Sequence, residues 1–395
     1  MAWLVLPLSA LAEVDMDASQ YPLVQSNAQV GVDLWRMSPE LPARVLLMPN
    51  NSVWHYRPES PWGTFEGHLM VSSKLTFKLN MRADQSMGTH VDELSGDWAQ
   101  SPSLGFRAGV LSYKTSWCQT YNVDSPWVRE NDPFCTSKST SEASGGAPGL
   151  QIYANTALDD YRVQMMAGMY RPLLFNYNTQ EFSNLGYATS HVDVNDKSGA
   201  SVSVLHAPSV TELRVGLLSA KQSARALMDS SYGIGVSNQT YGIAFFGLSF
   251  YVMPRLNVRL QTLRHALTAA HWAPPKVEGP RYQGGNEFVR RSDVMELNYR
   301  YSGHDVLAFA VSRYNFDNMS IITNYPDAGY TRFAEFPYLL SSASTSWRHD
   351  WQKGIYTSIQ WTYNRGRAAE FQNLDQSSMT YRGAHGVGLR LAYQF

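Results

Sequence analysis

From Leu69 to Met81 the chain alternates between two kinds of position. Leu69, Val71, Ser73, Leu75, Phe77, Leu79 and Met81 form one set, and Met70, Ser72, Lys74, Thr76, Lys78, Asn80 and Arg82 the other. Side chains on a strand point to opposite faces in turn, so the pattern predicts a strand with one apolar and one wet face. At about 3.3 Å per residue and a tilt of about 45°, such a run rises about 30 Å, the thickness of a bilayer's hydrocarbon. The pattern returns in GIYTSIQWTY (354–363), in DVMELNYRY (293–301) and in the closing GVGLRLAYQF (386–395).

Weaker alternation predicts strands near 89–98, 104–114, 149–156, 161–171, 185–194, 200–206, 211–219, 231–237, 240–252, 256–264, 305–314 and 338–348. With 66–82, 291–301, 354–364 and 380–395 the total is about sixteen, within a range of 14 to 18. Short connections at 100–103, 158–160, 195–199, 253–255, 302–305 and 349–354 carry turn-forming residues. They alternate with longer polar stretches at 115–148, 172–184, 265–290, 315–337 and 365–379. Short turns at one end and long loops at the other predict an all-β fold, a transmembrane antiparallel β-barrel. The stretch AKQSARALMDS (220–230) interrupts the alternation and reads as a short helix. The chain divides into a signal-like segment at 1–12, an N-terminal extension at 13–63 that serves as a plug or as extra strands, and a barrel at 64–395.

Composition sharpens this picture. Hydrophobic residues make up 44% of the 395 positions but charged residues only 16%, below the roughly 25% of a soluble domain. Their place is taken by 23 Tyr, 11 Trp and 16 Phe, a profile suited to strands and interfacial girdles. A net charge of -1 gives no basic surface for nucleic acid. The opening MAWLVLPLSALAEV is apolar from Trp3 to Leu11 and places Ala10 and Ala12 in the spacing of a signal-peptide cleavage site. No other run approaches 18 apolar residues, so any membrane crossing is by strands.

The C-terminal strand resembles that of bacterial outer-membrane β-barrel proteins, porin-like in character. In those proteins a terminal Phe on an alternating strand is a sorting signal. Phe395, Tyr393, Leu391 and Leu389 carry the match, and Arg390 stands where many members have Gly. The resemblance implies residence in the outer membrane of a Gram-negative bacterium. The implied partners are outer-membrane lipid and lipopolysaccharide, the barrel assembly machinery and small hydrophilic solutes, with a homotrimer as one state open to such a protein.

Two cysteines, Cys118 and Cys135, lie in one polar loop. In an exported chain they read as a disulfide worth about 3 kcal/mol on the loop-closure account, with two unpaired thiols as the alternative. Between them Arg129, Glu130 and Asp132 sit among aromatic residues, a composition that fits either a lumen constriction or an exposed stapled loop. Wet strand positions carry Lys74, Lys78, Arg82, Arg107, Arg162, Arg214, Arg300, Arg348 and Arg390, with Glu296 as an opposing acid. If all face a pore they form a basic ladder that favours anions. No nucleophile elbow, zinc-protease helix, phosphate loop or dinucleotide fingerprint is present, and no cofactor or metal is indicated. The expected function is passive diffusion of small hydrophilic solutes, with a plugged barrel acting as an enzyme or surface receptor as the alternative.

Overall fold

A computed structural model describes residues 21–37, 60–84, 88–112, 117, 125–128, 133–135, 146–170, 188–227, 234–273, 282–325, 330–335, 338–351, 354–370 and 377–395. The signal-like segment 1–12 lies outside the described residues. The strands are β1 (Leu23–Met37), β2 (Ser60–Met70), β3 (Leu75–Asp84), β4 (Gly88–Ser101), β5 (Leu104–Ser112) and β6 (Gly146–Leu158). There follow β7 (Tyr161–Tyr170), β8 (Ala188–His206), β9 (Thr211–Leu227), β10 (Ile234–Met253), β11 (Leu256–Ala273) and β12 (Tyr282–Arg300). The last are β13 (Asp305–Tyr325), β14 (Tyr330–Glu335), β15 (Tyr338–Asp350), β16 (Ile355–Glu370) and β17 (Ser377–Gln394).

β14 apart, each strand pairs antiparallel with the next, and β1 pairs with both β2 and β17, so the sheet closes on itself. β14 stays out of this ring: it folds back on the far half of β13, whose near half pairs with β15. The wall therefore has sixteen strands. Closure removes the two edges whose unpaired peptide groups would be costly in lipid.

Alternation assigns the two faces. On β17, Val387, Leu389, Leu391 and Tyr393 are exposed on the outside, while Arg390 and Ala392 are buried inside. Leu150, Ile152 and Leu217 are more than half exposed, as apolar side chains facing lipid must be. At the short-turn end Trp98, Tyr161, Tyr299, Tyr301, Trp351 and Phe395 point outward and form one girdle.

Several sequence expectations change. The run from Leu69 to Met81 is two strands, not one, with a turn at 71–74. Ser72 Oγ accepts hydrogen bonds from the backbone N–H groups of Lys74 (3.3 Å) and Leu75 (3.1 Å) and holds that bend. Odd residues pair with odd across it, Leu69 with Phe77 and Phe65 with Met81, so alternation continues through the turn unbroken. The turn expected at 195–199 is instead a bulge within β8, where the register shifts between Val194 and Lys197. Likewise the described part of 231–237 and all of 240–252 belong to one strand, β10. The helix expected at 220–230 is strand through Leu227, because pairing on both sides with β8 and β10 outweighs a local helix preference. Much of the loops expected at 265–290, 315–337 and 365–379 is strand as well. Leu23–Met37, within the stretch read as an extension, is a wall strand.

Candidate functional site: a loop anchored in the lumen

The inner faces of β11 to β16 present a polar wall because each strand contributes every second residue: Gln261, Glu296, Ser346, Arg348 and Gln360 all point inward and are buried. Ala308 and Ala310 leave a shallow space between them, and Trp127 of the β5–β6 connection packs there. The Trp127 indole N–H donates to Glu296 Oε2 at 2.8 Å, and both side chains are only 1% exposed. A hydrogen bond to a buried carboxylate is worth about 1.5–3 kcal/mol. Its neighbours are fixed as well. The Val128 N–H donates to Gln360 Oε1 (2.8 Å), Ser346 Oγ donates to the Pro126 carbonyl (2.5 Å), and Arg348 reaches the Ser125 carbonyl at 3.5 Å.

A second anchor lies on the adjoining strands. The Trp117 N–H donates to Gln261 Oε1 at 2.6 Å, and the Arg214 guanidinium lies 4.2 Å from the Trp117 ring centre. Gly247 makes room for this ring, since a Cβ there would fall 2.4 Å from Trp117 Nε1. Phe134, from the short 3-10 turn Pro133–Cys135, packs with Val294 and Trp117 in one cluster. The described parts of the connection thus sit inside the barrel, against β9 to β16.

The wall of β3 to β6 carries a charged cluster. Asp97 accepts from Arg107 Nε (2.7 Å) and from the Tyr153 hydroxyl (2.6 Å), and Lys78 Nζ is 3.4 Å away. Arg82 pairs with Asp92 at 3.1 Å, Arg214 with Glu212 at 2.5 Å and Arg348 with Asp350 at 2.6 Å. Arg390 meets both oxygens of Asp33 at 2.8 Å. Thus six of the expected lumen cations, Lys78, Arg82, Arg107, Arg214, Arg348 and Arg390, each have a carboxylate at hand, and the basic ladder becomes a set of paired charges. Lys74 lies in the turn after β2, and Arg162 and Arg300 are exposed at strand ends on the same rim. Arg259 approaches Glu296 at 3.7 Å.

Arg129, Glu130, Asp132 and Cys118 lie outside the described residues, and the disulfide with them. At the sorting strand, Tyr393 and Phe395 stack edge to face at 4.6 Å on the outside, and the Phe395 N–H donates to the Ala28 carbonyl. Among the described residues no group of His, Cys, Asp and Glu is arranged to hold a metal. Sequence reasoning placed Trp127 in the loop and Gln360 on a wet strand face but did not single out Gln261, Ser346 or Asp97. Only the fold reveals that loop and wall meet.

No protein-family model and no curated protein sequence matches the chain. Solved structures do. The outer membrane channel DcaP of Acinetobacter baumannii superposes with a TM-score of 0.55 at 12% identity, over 94% of this chain and 97% of that one. OprB of Pseudomonas putida gives 0.51 at 11% identity over 94% of each chain. OmpT of Vibrio cholerae gives 0.50 at 10% identity over 94% of this chain and 97% of its own. The fold is that of a bacterial outer-membrane porin. Within the porin fold, the inner loop lies between β5 and β6 and is held from the opposite half of the wall.

Proposed function

We propose that this protein is a passive diffusion channel of the bacterial outer membrane for small hydrophilic solutes, with the β5–β6 loop as its constriction. The observation that carries the reading is the anchoring of Ser125–Val128 to the inner wall through Glu296, Ser346, Arg348 and Gln360. A loop held from one side narrows the lumen and leaves the Lys78–Asp97–Arg107 cluster on another part of the wall to line the path. Paired charges hydrate a channel without strongly sorting ions, so any preference for anions is weak.

The cysteines fit this reading. Trp117 precedes Cys118, Phe134 precedes Cys135, and these two aromatic residues belong to one packed cluster, which supports a bridge that staples the loop at its lumen anchor. Planar-bilayer recording tests the proposal. Discrete conductance steps are expected, and a reducing agent is expected to change their noise or amplitude while the barrel stays folded. A folded barrel that passes no current would reject the channel. Free thiols on a non-reducing peptide map would reject the staple.

A further inference from the structure

The outer wall carries a charge pattern separate from the lumen. Arg264 on β11 and Arg291 on β12 are directly opposite each other in the register, and both are exposed on the outer face. Arg313 on β13 and Arg365 on β16 are exposed on the same face, one residue row nearer the short turns. Asp293 is the carboxylate placed among them: it lies 2.9 Å from Arg291 Nε and opposite Arg313. Four arginines and one aspartate leave a formal charge of about +3 on a patch roughly 19 Å wide, five strands at about 4.8 Å spacing. Like charges directly opposite on neighbouring strands repel, and arginine at the edge of hydrocarbon is costly without a counter-ion.

The height of the patch identifies its surroundings. Ten positions separate Tyr301, in the short-turn girdle, from Arg291, about 33 Å along the strand and about 25 Å along the axis of a tilted barrel. Between them the outward positions Tyr299, Leu297 and Met295 are apolar or aromatic. The arginines therefore lie where hydrocarbon gives way to headgroups on the long-connection side. Trp361 and Tyr363 stack with His385 close by, at 5.7 and 5.1 Å, on the lipid face below Arg365. On the lipid side of Arg313 and Arg365 the wall is hollowed into a trough of about 680 Å³, floored by Thr262, Ser341 and Ala343 and flanked by Phe246 and Met295. A second hollow of about 910 Å³ adjoins Arg264.

We propose that this face binds a phosphorylated lipid of the outer leaflet, with phosphate held by the arginines and an acyl chain seated in the trough. Guanidinium forks match phosphate oxygens, and the trough beneath them is the size and polarity of a lipid chain's bed. The apolar wall of a second copy would bring no anion to the four arginines. The proposal does not depend on whether the lumen conducts.

The test titrates folded, full-length protein in zwitterionic detergent with a diphosphorylated glucosamine lipid and follows retention by native mass spectrometry. R264Q/R291Q and R313Q/R365Q are compared with wild type after heat-modifiable mobility confirms that they fold. Loss of two charge-assisted contacts is expected to weaken retention at least about tenfold in each variant. The dephosphorylated lipid should bind wild type as weakly. Equal retention by wild type and both variants overturns the proposal. Full displacement by inorganic phosphate would reduce the patch to a bare anion site and remove the lipid assignment. Altered oligomeric state with unchanged lipid retention would make the face an interface between copies and likewise overturn it.

Discussion

Arg390 and Asp33 are 357 residues apart in the chain and face each other across the seam where the barrel closes. Both are buried, both carboxylate oxygens are engaged at 2.8 Å, and the Trp62 indole N–H donates to Asp33 at 3.1 Å. The guanidinium lies 5.0 Å from the Trp62 ring centre, so three strands, β17, β1 and β2, meet at one polar knot. Breaking one side of a buried pair strands the other charge and costs about 3–5 kcal/mol. R390A is expected to lower the denaturant midpoint of the heat-modifiable form accordingly, and D33A/R390A by less than the two single losses combined. Simple additivity would show that the two residues do not act together.

Trp127 is the loop's main apolar anchor. W127A empties the space over Ala308 and Ala310 and removes the hydrogen bond to Glu296, a truncation that costs about 3–5 kcal/mol where a site does not collapse. Because the ring of strands is hydrogen-bonded independently of it, the barrel should stay closed while conductance rises. E296Q keeps an acceptor for the indole and should change conductance less. Identical conductance in wild type and W127A would place the constriction elsewhere.

Asp97 holds Lys78 and Arg107 in one cluster. D97N leaves two cations facing a single neutral amide, so the chloride-to-potassium permeability ratio should rise about twofold or more. Reversal potentials in a salt gradient measure this. An unchanged ratio would mean that the ion path avoids the β3 to β6 wall.

The two faces should differ sharply in tolerance. L217R puts a charge on the lipid side and is expected to cost about 2–4 kcal/mol near mid-membrane. Arginine at Ser95, on the inner face of β4, should alter conductance with far less effect on folding into detergent or vesicles. Comparable losses at both positions would contradict the assigned facing.

Phe395 contributes little to the folded wall: its side chain is 69% exposed and its backbone makes one hydrogen bond, to Ala28. Deleting it should leave in vitro refolding within about 1 kcal/mol of wild type, the scale of one net hydrogen bond. In cells, membrane-inserted protein should fall steeply. A similar effect in both settings would make the residue structural and not a sorting signal.

How much of this was legible beforehand depended on whether a turn disturbed the alternation. At Asp159–Asp160 two turn residues shift the outward set from even to odd, Ile152 facing Ala167, and the break between β6 and β7 shows in the sequence. At Val71–Lys74 the outward set is odd on both sides, and the hairpin reads as one strand. That missed division and the unplaced β1 offset the two strands divided in error, β8 and β10, which is how the number sixteen emerged from a faulty inventory. Lumen charges were found as residue types, but their neutralisation was hidden because the partners lie on other strands or on another register of the same strand: Asp97 for Arg107, Asp33 for Arg390. The outward arginines escaped notice because Arg264, Arg291 and Arg313 stood singly at the ends of predicted strands and Arg365 at the start of an expected loop, and only the register between strands brings the four together.

The strands differ greatly in reach. β13 has 21 residues and β5 only 9, about 70 Å against about 30 Å along the sheet. All strands start level at the short turns, so the excess stands on the opposite side, as a tall palisade over β8 to β13 with β14 laid against its top, beside a low sill at β5 to β7. Among the described residues, a bulky visitor from that side, such as an immunoglobulin domain, meets the palisade first. The described sheet therefore offers its most accessible epitopes on strand backbone, at β10 to β14, where a binder that adds a strand or grips a ridge has more purchase than one that requires a loop.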